Sequence, residues 1–239
     1  MTYRAVVFDL FGTLVENTSF VGSPSAAWQQ RLMEMATIVG ADPTAFTTVW
    51  SETSSERAKG TFPTVEACVQ NLCERLGVRP NPEQVGTAAA IRIQYMRSAL
   101  VPRPDAVATL QKIRAQELRI GLISNCIPDV PLLWDATALA RHVDVPIFSA
   151  AVRLPDPCIY QLTCEQLGVA PEECLFIADG EGGELAGAAS IGMTPILIRC
   201  SYDDPPGHRR PHVEPWEGGA ISWLTEILSL INPGQAARE

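Results

Sequence analysis

Lysine is nearly absent: Lys59 and Lys112 are the only two in 239 residues. Positive charge is scarce altogether, with 18 Lys and Arg against 27 Asp and Glu, for a formal net charge of -9. That balance lacks the basic footprint that binding a phosphate backbone requires, so nucleic acid is not an expected partner. No apolar run approaches the roughly 18 residues needed to cross a bilayer, and no membrane segment is expected. The apolar stretch before Val15 is broken by Asp9 and has no small-residue cleavage site after it, so it does not read as a signal peptide. The seven cysteines, at 68, 73, 126, 158, 164, 174 and 200, include no C-x-x-C pair. A disulfide framework and a zinc cluster are both disfavoured, and reduced thiols in a cytoplasmic protein are the reading. His208 and His212 have a zinc-like spacing, but they sit in the Pro-rich run Asp203 to Pro211 and its continuation, with no third ligand in view.

What is present is a series of short apolar runs, each closed by a polar residue. Ala5 to Asp9, Ile120 to Ser124, Cys174 to Asp179 and Pro195 to Arg199 read as buried parallel strands, with a further strand at Val145 to Phe148. Helical patterns lie between or after them: Ala106 to Gln116, Ile159 to Leu167 stopped by Gly168, Glu184 to Ile191 stopped by Gly192, and a last helix at Ile221 to Ile231. Alternating strand and helix implies an α/β doubly wound parallel sheet.

From about Val15 to Leu100 no strand pattern appears. Trp28, Leu32, Met35, Ala36 and Val39 share one helical face; Val65, Cys68, Val69, Leu72 and Leu76 share a second; Val85, Ala89, Ile93, Met96 and Leu100 share a third. This is a helical insertion, and the Pro-rich return Val101 to Asp105 reads as a hinge. The division expected is residues 1-14 and 101-239 as one unit and 15-100 as the other. Trp28, Trp50 and Trp134 are expected to pack in or beside the insertion.

In an open parallel sheet, ligands bind beyond the carboxyl ends of the strands. Asp9, Ser124 and Asp179 all fall at such ends, beneath the helical insertion. The blocks Phe8-Asp-Leu-Phe-Gly-Thr-Leu14, Leu122-Ile-Ser-Asn125, Pro155-Asp-Pro157 and Asp179-Gly-Glu-Gly-Gly-Glu184, in that order, resemble the haloacid dehalogenase superfamily. The resemblance implies a Rossmann-like core with an all-helical cap and hydrolase activity. It also implies Asp9 as the nucleophile that forms a covalent aspartyl intermediate, Ser124 with Asn125 as binders of the transferring group, and a magnesium ion held by Asp9, the Phe11 carbonyl, Asp179 and Glu184. The substrate implied is a small molecule. Glycines 180, 182 and 183 do not make a dinucleotide fingerprint, because Leu185 stands where the third glycine belongs.

Two positions depart from that pattern. Phosphatases of the family carry an acid two residues after the nucleophile, where this chain has Phe11; an aromatic residue there resembles the branch that displaces halide from carbon. That branch usually lacks the acidic pair, which this chain keeps in Asp179 and Glu184. The family also expects a Lys before Pro-Asp-Pro, where this chain has Leu154, with Arg153 as the nearest cation and candidate substrate ligand. Three expectations follow: a phosphatase-like hydrolase acting on a phosphorylated metabolite, a dehalogenase-type displacement at carbon, or a fold kept for binding or a non-hydrolytic reaction.

Overall fold

The computed structural model describes residues 2-16, 26-57, 60-148, 155-199 and 215-232. The first strand, β1 (Ala5–Phe8), is followed by five helices: α1 (Ala26–Val39), α2 (Pro43–Glu52), α3 (Ser54–Arg57), α4 (Val65–Arg75) and α5 (Pro82–Ala99). Then come α6 (Ala106–Ala115), β2 (Arg119–Ser124), α7 (Asp129–Trp134), β3 (Val145–Phe148), α8 (Pro157–Leu167), β4 (Cys174–Ala178), α9 (Glu184–Ser190), β5 (Thr194–Ile198), β6 (Ala220–Ile221) and α10 (Ile227–Ile231). The six strands form one parallel sheet in the order β3-β2-β1-β4-β5-β6. The strand order reverses direction between β1 and β4, which is where an open α/β sheet leaves a crevice.

The strands read as unbroken apolar runs because both faces are covered. Val6, Phe8, Ile120, Leu122, Leu175 and Ile177 pack with α6 and α10 on one side. Ala5, Val7, Ile123, Cys174 and Phe176 pack with α8 and α9 on the other. The alternation is the two-residue period of the pleat. Gly168 ends α8 at φ 68, the left-handed cap that only glycine adopts without cost.

Helices α1, α2, α4 and α5 share a hydrophobic cluster of their own, in which Trp28, Leu32, Met35, Phe46, Trp50, Val69, Leu72 and Ala89 are buried. The two crossings between these helices and the sheet run side by side. Val15 bridges Pro102, and the Arg103 N–H donates to the Leu14 carbonyl at 2.9 Å.

The expected helix over Ile221 to Ile231 is a correction. Ala220 and Ile221 extend the sheet against β5, with the Arg199 N–H donating to the Ile221 carbonyl, and only Ile227–Ile231 is α-helical. The Glu226 carboxylate accepts the N–H groups of Ser222 and Trp223 at 2.8 Å each, which starts the helical turn three residues late. Among the described residues no helix is long and apolar enough to cross a membrane. The segments carrying His208, His212, Arg209 and Arg210 lie outside the described residues.

Candidate active site

β1 delivers Asp9 one residue past its end, where the Asp9 N–H still donates to the Ile177 carbonyl at 2.9 Å and so continues the ladder with β4. β4 places Asp179 one residue past its own end, and the first residue of α9 is Glu184. All three side chains are at least nine-tenths buried. One carboxylate oxygen from each lies within 4.8 Å of the others. At an effective dielectric near 20, two ionised carboxylates at that separation repel by about 3 kcal/mol. The acidities reflect this: burial, then the neighbouring Asp179, holds the Asp9 carboxyl well above the usual carboxylate range. Burial, then Asp9 and Asp179, does the same to Glu184. A cluster of hard oxygen donors carrying this much unmet negative charge fits a divalent cation.

Local structure fixes the cluster closely. The Thr13 hydroxyl donates to Asp9 Oδ2 at 3.2 Å. The Gly180 N–H donates to Glu184 Oε1 at 3.0 Å, and the Glu181 N–H to Asp179 Oδ1 at 3.1 Å. Tyr160 of α8 donates its hydroxyl to the Glu184 carbonyl at 2.8 Å, which ties the start of α9 to the helix after the Pro-Asp-Pro block. Gly12 is the tightest point. Its φ is +76, and a Cβ there would fall 2.0 Å from Asp179 Oδ2, so no other residue lets the loop after β1 approach β4 this closely. Arg103, 1% exposed, holds that loop from behind: its guanidinium donates to the carbonyls of Gly12 and Thr13.

Ser124 ends β2 on the other side of β1. Its hydroxyl is wholly buried and has no hydrogen-bond partner among the described residues, an omission rare enough in a folded chain to point to an absent ligand. Asn125 is exposed beside it. Phe11 is half-buried, bridges Val15 and packs against the sheet core, so the position carries no ionisable group. Asp156 of the Pro-Asp-Pro block caps α8, accepting the Cys158 N–H at 2.9 Å. Arg153 and Leu154 lie outside the described residues.

The structure adds residues that periodicity did not single out. Arg92 and Asp129 form a buried ion pair at 2.7 Å joining α5 to α7, and Arg57 is buried on the Trp50 ring. A signal for Arg92 exists: it falls on the stripe with Val85, Ala89 and Met96, a cation at an apolar register position. Arg103 carries no such signal, since its role exists only once the two crossings lie together.

A family model of haloacid dehalogenase-like hydrolases matches residues 3-192, and the chain belongs to that family. A curated relative, the Rhythmically expressed gene 2 protein of Drosophila melanogaster, is 36% identical over 84 residues, 33% of this chain; the matched part is only 32% of that relative's length. Among solved structures, an HAD phosphatase from Thermococcus onnurineus superposes with a TM-score of 0.63 at 20% identity, covering 96% of this chain and 98% of that one. The L-2-haloacid dehalogenase of Xanthobacter autotrophicus with chloropropionic acid covalently bound superposes at 0.61 and 21%, covering 98% and 100%. At such identities the likeness is one of fold, and it extends to phosphatase and dehalogenase alike.

Proposed function

We propose that the chain hydrolyses a small phosphorylated metabolite, with Asp9 as nucleophile and magnesium as cofactor. In this reading residues 1-14 and 101-239 form the core and 15-100 the cap that covers the strand ends. The observation that carries it is the trio of Asp9, Asp179 and Glu184, whose oxygens lie within 4.8 Å, with burial and then the neighbouring carboxylates holding Asp9 and Glu184 well above the usual carboxylate range. Displacement of halide from carbon has no use for such a trio. The ion would be held by Asp9, the Phe11 carbonyl, Asp179 and Glu184, and when bound it would offset their charge and draw electrons from the phosphoryl oxygens.

Asp9 attacks phosphorus, the bond from phosphorus to the ester oxygen breaks with its electron pair, and an aspartyl phosphate remains. Water then attacks that phosphorus, freeing inorganic phosphate and restoring the Asp9 carboxylate. Thr13 orients Asp9, and the partnerless Ser124 hydroxyl supplies a donor to a phosphoryl oxygen, with Asn125 beside it. Arg153 is the candidate cation in place of the family Lys. Because Phe11 cannot give a proton, the departing alcohol takes one from water, and esters of acidic alcohols react best. The described cysteines are free thiols, as a cytoplasmic setting would keep them.

The test is phosphate release from 4-nitrophenyl phosphate, with and without magnesium, for the wild type and Asp9→Asn. Magnesium-dependent turnover that disappears in Asp9→Asn is expected; turnover that survives the substitution sinks the reading. The half-buried aromatic ring of Phe11 favours a second reading, displacement of halide at carbon, which halide release from a 2-haloacid in the wild type but not in Asp9→Asn would establish. Absence of both reactions leaves a binding or non-hydrolytic role.

A further inference from the structure

The described residues hold a second concentration of buried charge, of the opposite sign. Arg57 closes α3 and Arg92 lies midway along α5, and each is 3% exposed. The Arg57 guanidinium carbon is 3.9 Å from the centroid of the Trp50 ring; that of Arg92 is 5.7 Å from the same ring and 4.7 Å from Trp28. Such stacking holds a guanidinium plane in one orientation. Arg92 has a counter-ion, since its Nε donates to Asp129 Oδ2 at 2.7 Å. Arg57 has no carboxylate partner among the described residues. One of its terminal nitrogens donates to the Thr53 hydroxyl, and its Nε is a buried donor with no acceptor.

Among the described residues no other group nearby supplies the missing charge. Glu56 is engaged by Arg75 at 2.7 Å on the surface. Burial pushes the Cys68 thiol up to about 11, so it is neutral at pH 7. Burial and the Arg92 charge pull Arg57 down to about 10, still protonated at that pH. One carboxylate therefore faces two guanidinium ions, and the other oxygen of that carboxylate, Asp129 Oδ1, is itself a buried acceptor without a donor. A buried charge left uncompensated, beside an unmet donor and an unmet acceptor, is among the costliest arrangements a fold can keep. A ligand bearing oxyanion acceptors for the Arg57 fork and an O–H for Asp129 would satisfy all three deficits at once.

We infer that Arg57, Arg92 and Asp129 form a second anion site, between α3, α5 and α7, for an oxyanion that carries a hydroxyl, such as hydrogen phosphate. Asp129 follows Ser124 by five residues, a reach of at most about 18 Å, so the site belongs to the same end of the sheet as Asp9. The anion has two possible sources: a second acidic group on the substrate, an arm that rests on the proposed function, or a free anion acting as an effector.

The site itself is tested without turnover. Inorganic phosphate is titrated in EDTA into the wild type, Asp9→Asn, Arg57→Gln and Arg57→Lys, with binding followed by calorimetry and by the emission of the tryptophans. EDTA keeps divalent cations out of the Asp9 cluster, so that phosphate cannot be drawn there by a bound metal ion. Saturable binding is expected in the wild type and in Asp9→Asn, and it should be at least about tenfold weaker in Arg57→Gln, which loses charge-assisted hydrogen bonds. Binding that is unchanged in Arg57→Gln, lost in Asp9→Asn, or absent from the wild type overturns the proposal. If Arg57→Gln gives no cooperative melt, Arg57→Lys decides: it keeps the charge, loses the fork and should still bind more weakly, whereas equal binding counts against the site. Where turnover is found, a larger rise of KM in Arg57→Gln for a phosphorylated hydroxy acid than for 4-nitrophenyl phosphate assigns the anion to the substrate, and an equal response assigns it to an effector. Phosphate binding with no turnover on any ester would retire the nucleophile reading and leave this one standing.

Discussion

Neutralising the nucleophile should stabilise the metal-free protein, and by an amount that grows with pH. Burial and the neighbouring Asp179 hold the Asp9 carboxyl well above its ordinary range in the fold. The unfolded chain ionises that group at a pH near 4, so between there and the raised folded value the native state carries a proton that the unfolded state has lost. Stability is then fully present below the unfolded value and declines as pH rises, by about 1.4 kcal/mol per pH unit for each such group. Asp9→Asn removes the dependence while keeping the shape and an oxygen for the Thr13 hydroxyl. It also removes one of the charges that raise Glu184, so the difference between the two proteins should exceed the single-group value. For a chain of this size, about 1 kcal/mol moves Tm by roughly 2-4 °C. Melts in EDTA above pH 4 should therefore show Asp9→Asn gaining on the wild type by about 3-6 °C per pH unit for as long as the native carboxyl keeps its proton. Magnesium should close the gap, because at about a hundred times its Kd a ligand of the native state adds about 2.7 kcal/mol, and here it adds more at pH 7.5 than at pH 5.5. Parallel wild-type and Asp9→Asn curves in EDTA would refute the picture of three mutually repelling carboxyls.

Gly12→Ala puts a methyl group 2.0 Å from Asp179 Oδ2 at a φ of +76, and it should abolish the magnesium-induced rise in Tm while the sheet still melts cooperatively; a normal magnesium response would show that the close approach is dispensable. Phe11→Asp places an acid where the leaving group departs. It should raise turnover of alkyl phosphates by about 10²-10⁴ with much less effect on 4-nitrophenyl phosphate, whose alcohol leaves without a proton, and equal effects on both would count against the assignment. Asp129→Ala strands Arg92 without its counter-ion and should cost about 3-5 kcal/mol in urea unfolding, whereas Arg92→Met combined with Asp129→Leu should recover most of the loss.

The parts of this fold that repeat at a fixed period are legible in the sequence. The strands announced themselves because a sheet covered on both faces needs every residue apolar, and the polar residues that end those runs, Asp9, Ser124 and Asp179, are the ones the crevice receives. The α1 face of Trp28, Leu32, Met35, Ala36 and Val39 is buried as its spacing required. What escaped depends on contacts between distant segments. Ala220 and Ile221 form a strand only because β5 offers an open edge, although the local pattern is helical. On α5, Arg92 and Tyr95 are buried where Ile93 was expected, since the partner of that face includes Asp129, a residue thirty-seven positions later and invisible to any helical period. Arg103 likewise gains its place from carbonyls some ninety residues away.

The two halves of the Asp9 site make compatible demands on a substrate. Crowded carboxylates call for a cation, and a cation is useful to a reaction that handles the charge of a phosphoryl group. A benzyl ring two residues from Asp9 has no proton to give a departing oxygen, which under the proposed function would slow phosphoryl transfer in proportion to the basicity of the alcohol expelled. Under the proposed function the rate would depend on the leaving group more than in a site that carries both the cation and an acid, and selection among phosphate esters would be made partly by chemistry and partly by the helices of residues 15-100. Those helices bring two arginines against one aspartate at the same end of the sheet. Under the proposed function, an ester with an acidic leaving alcohol on one side and an anion on the other would be chosen by both features, and neither feature alone would specify it.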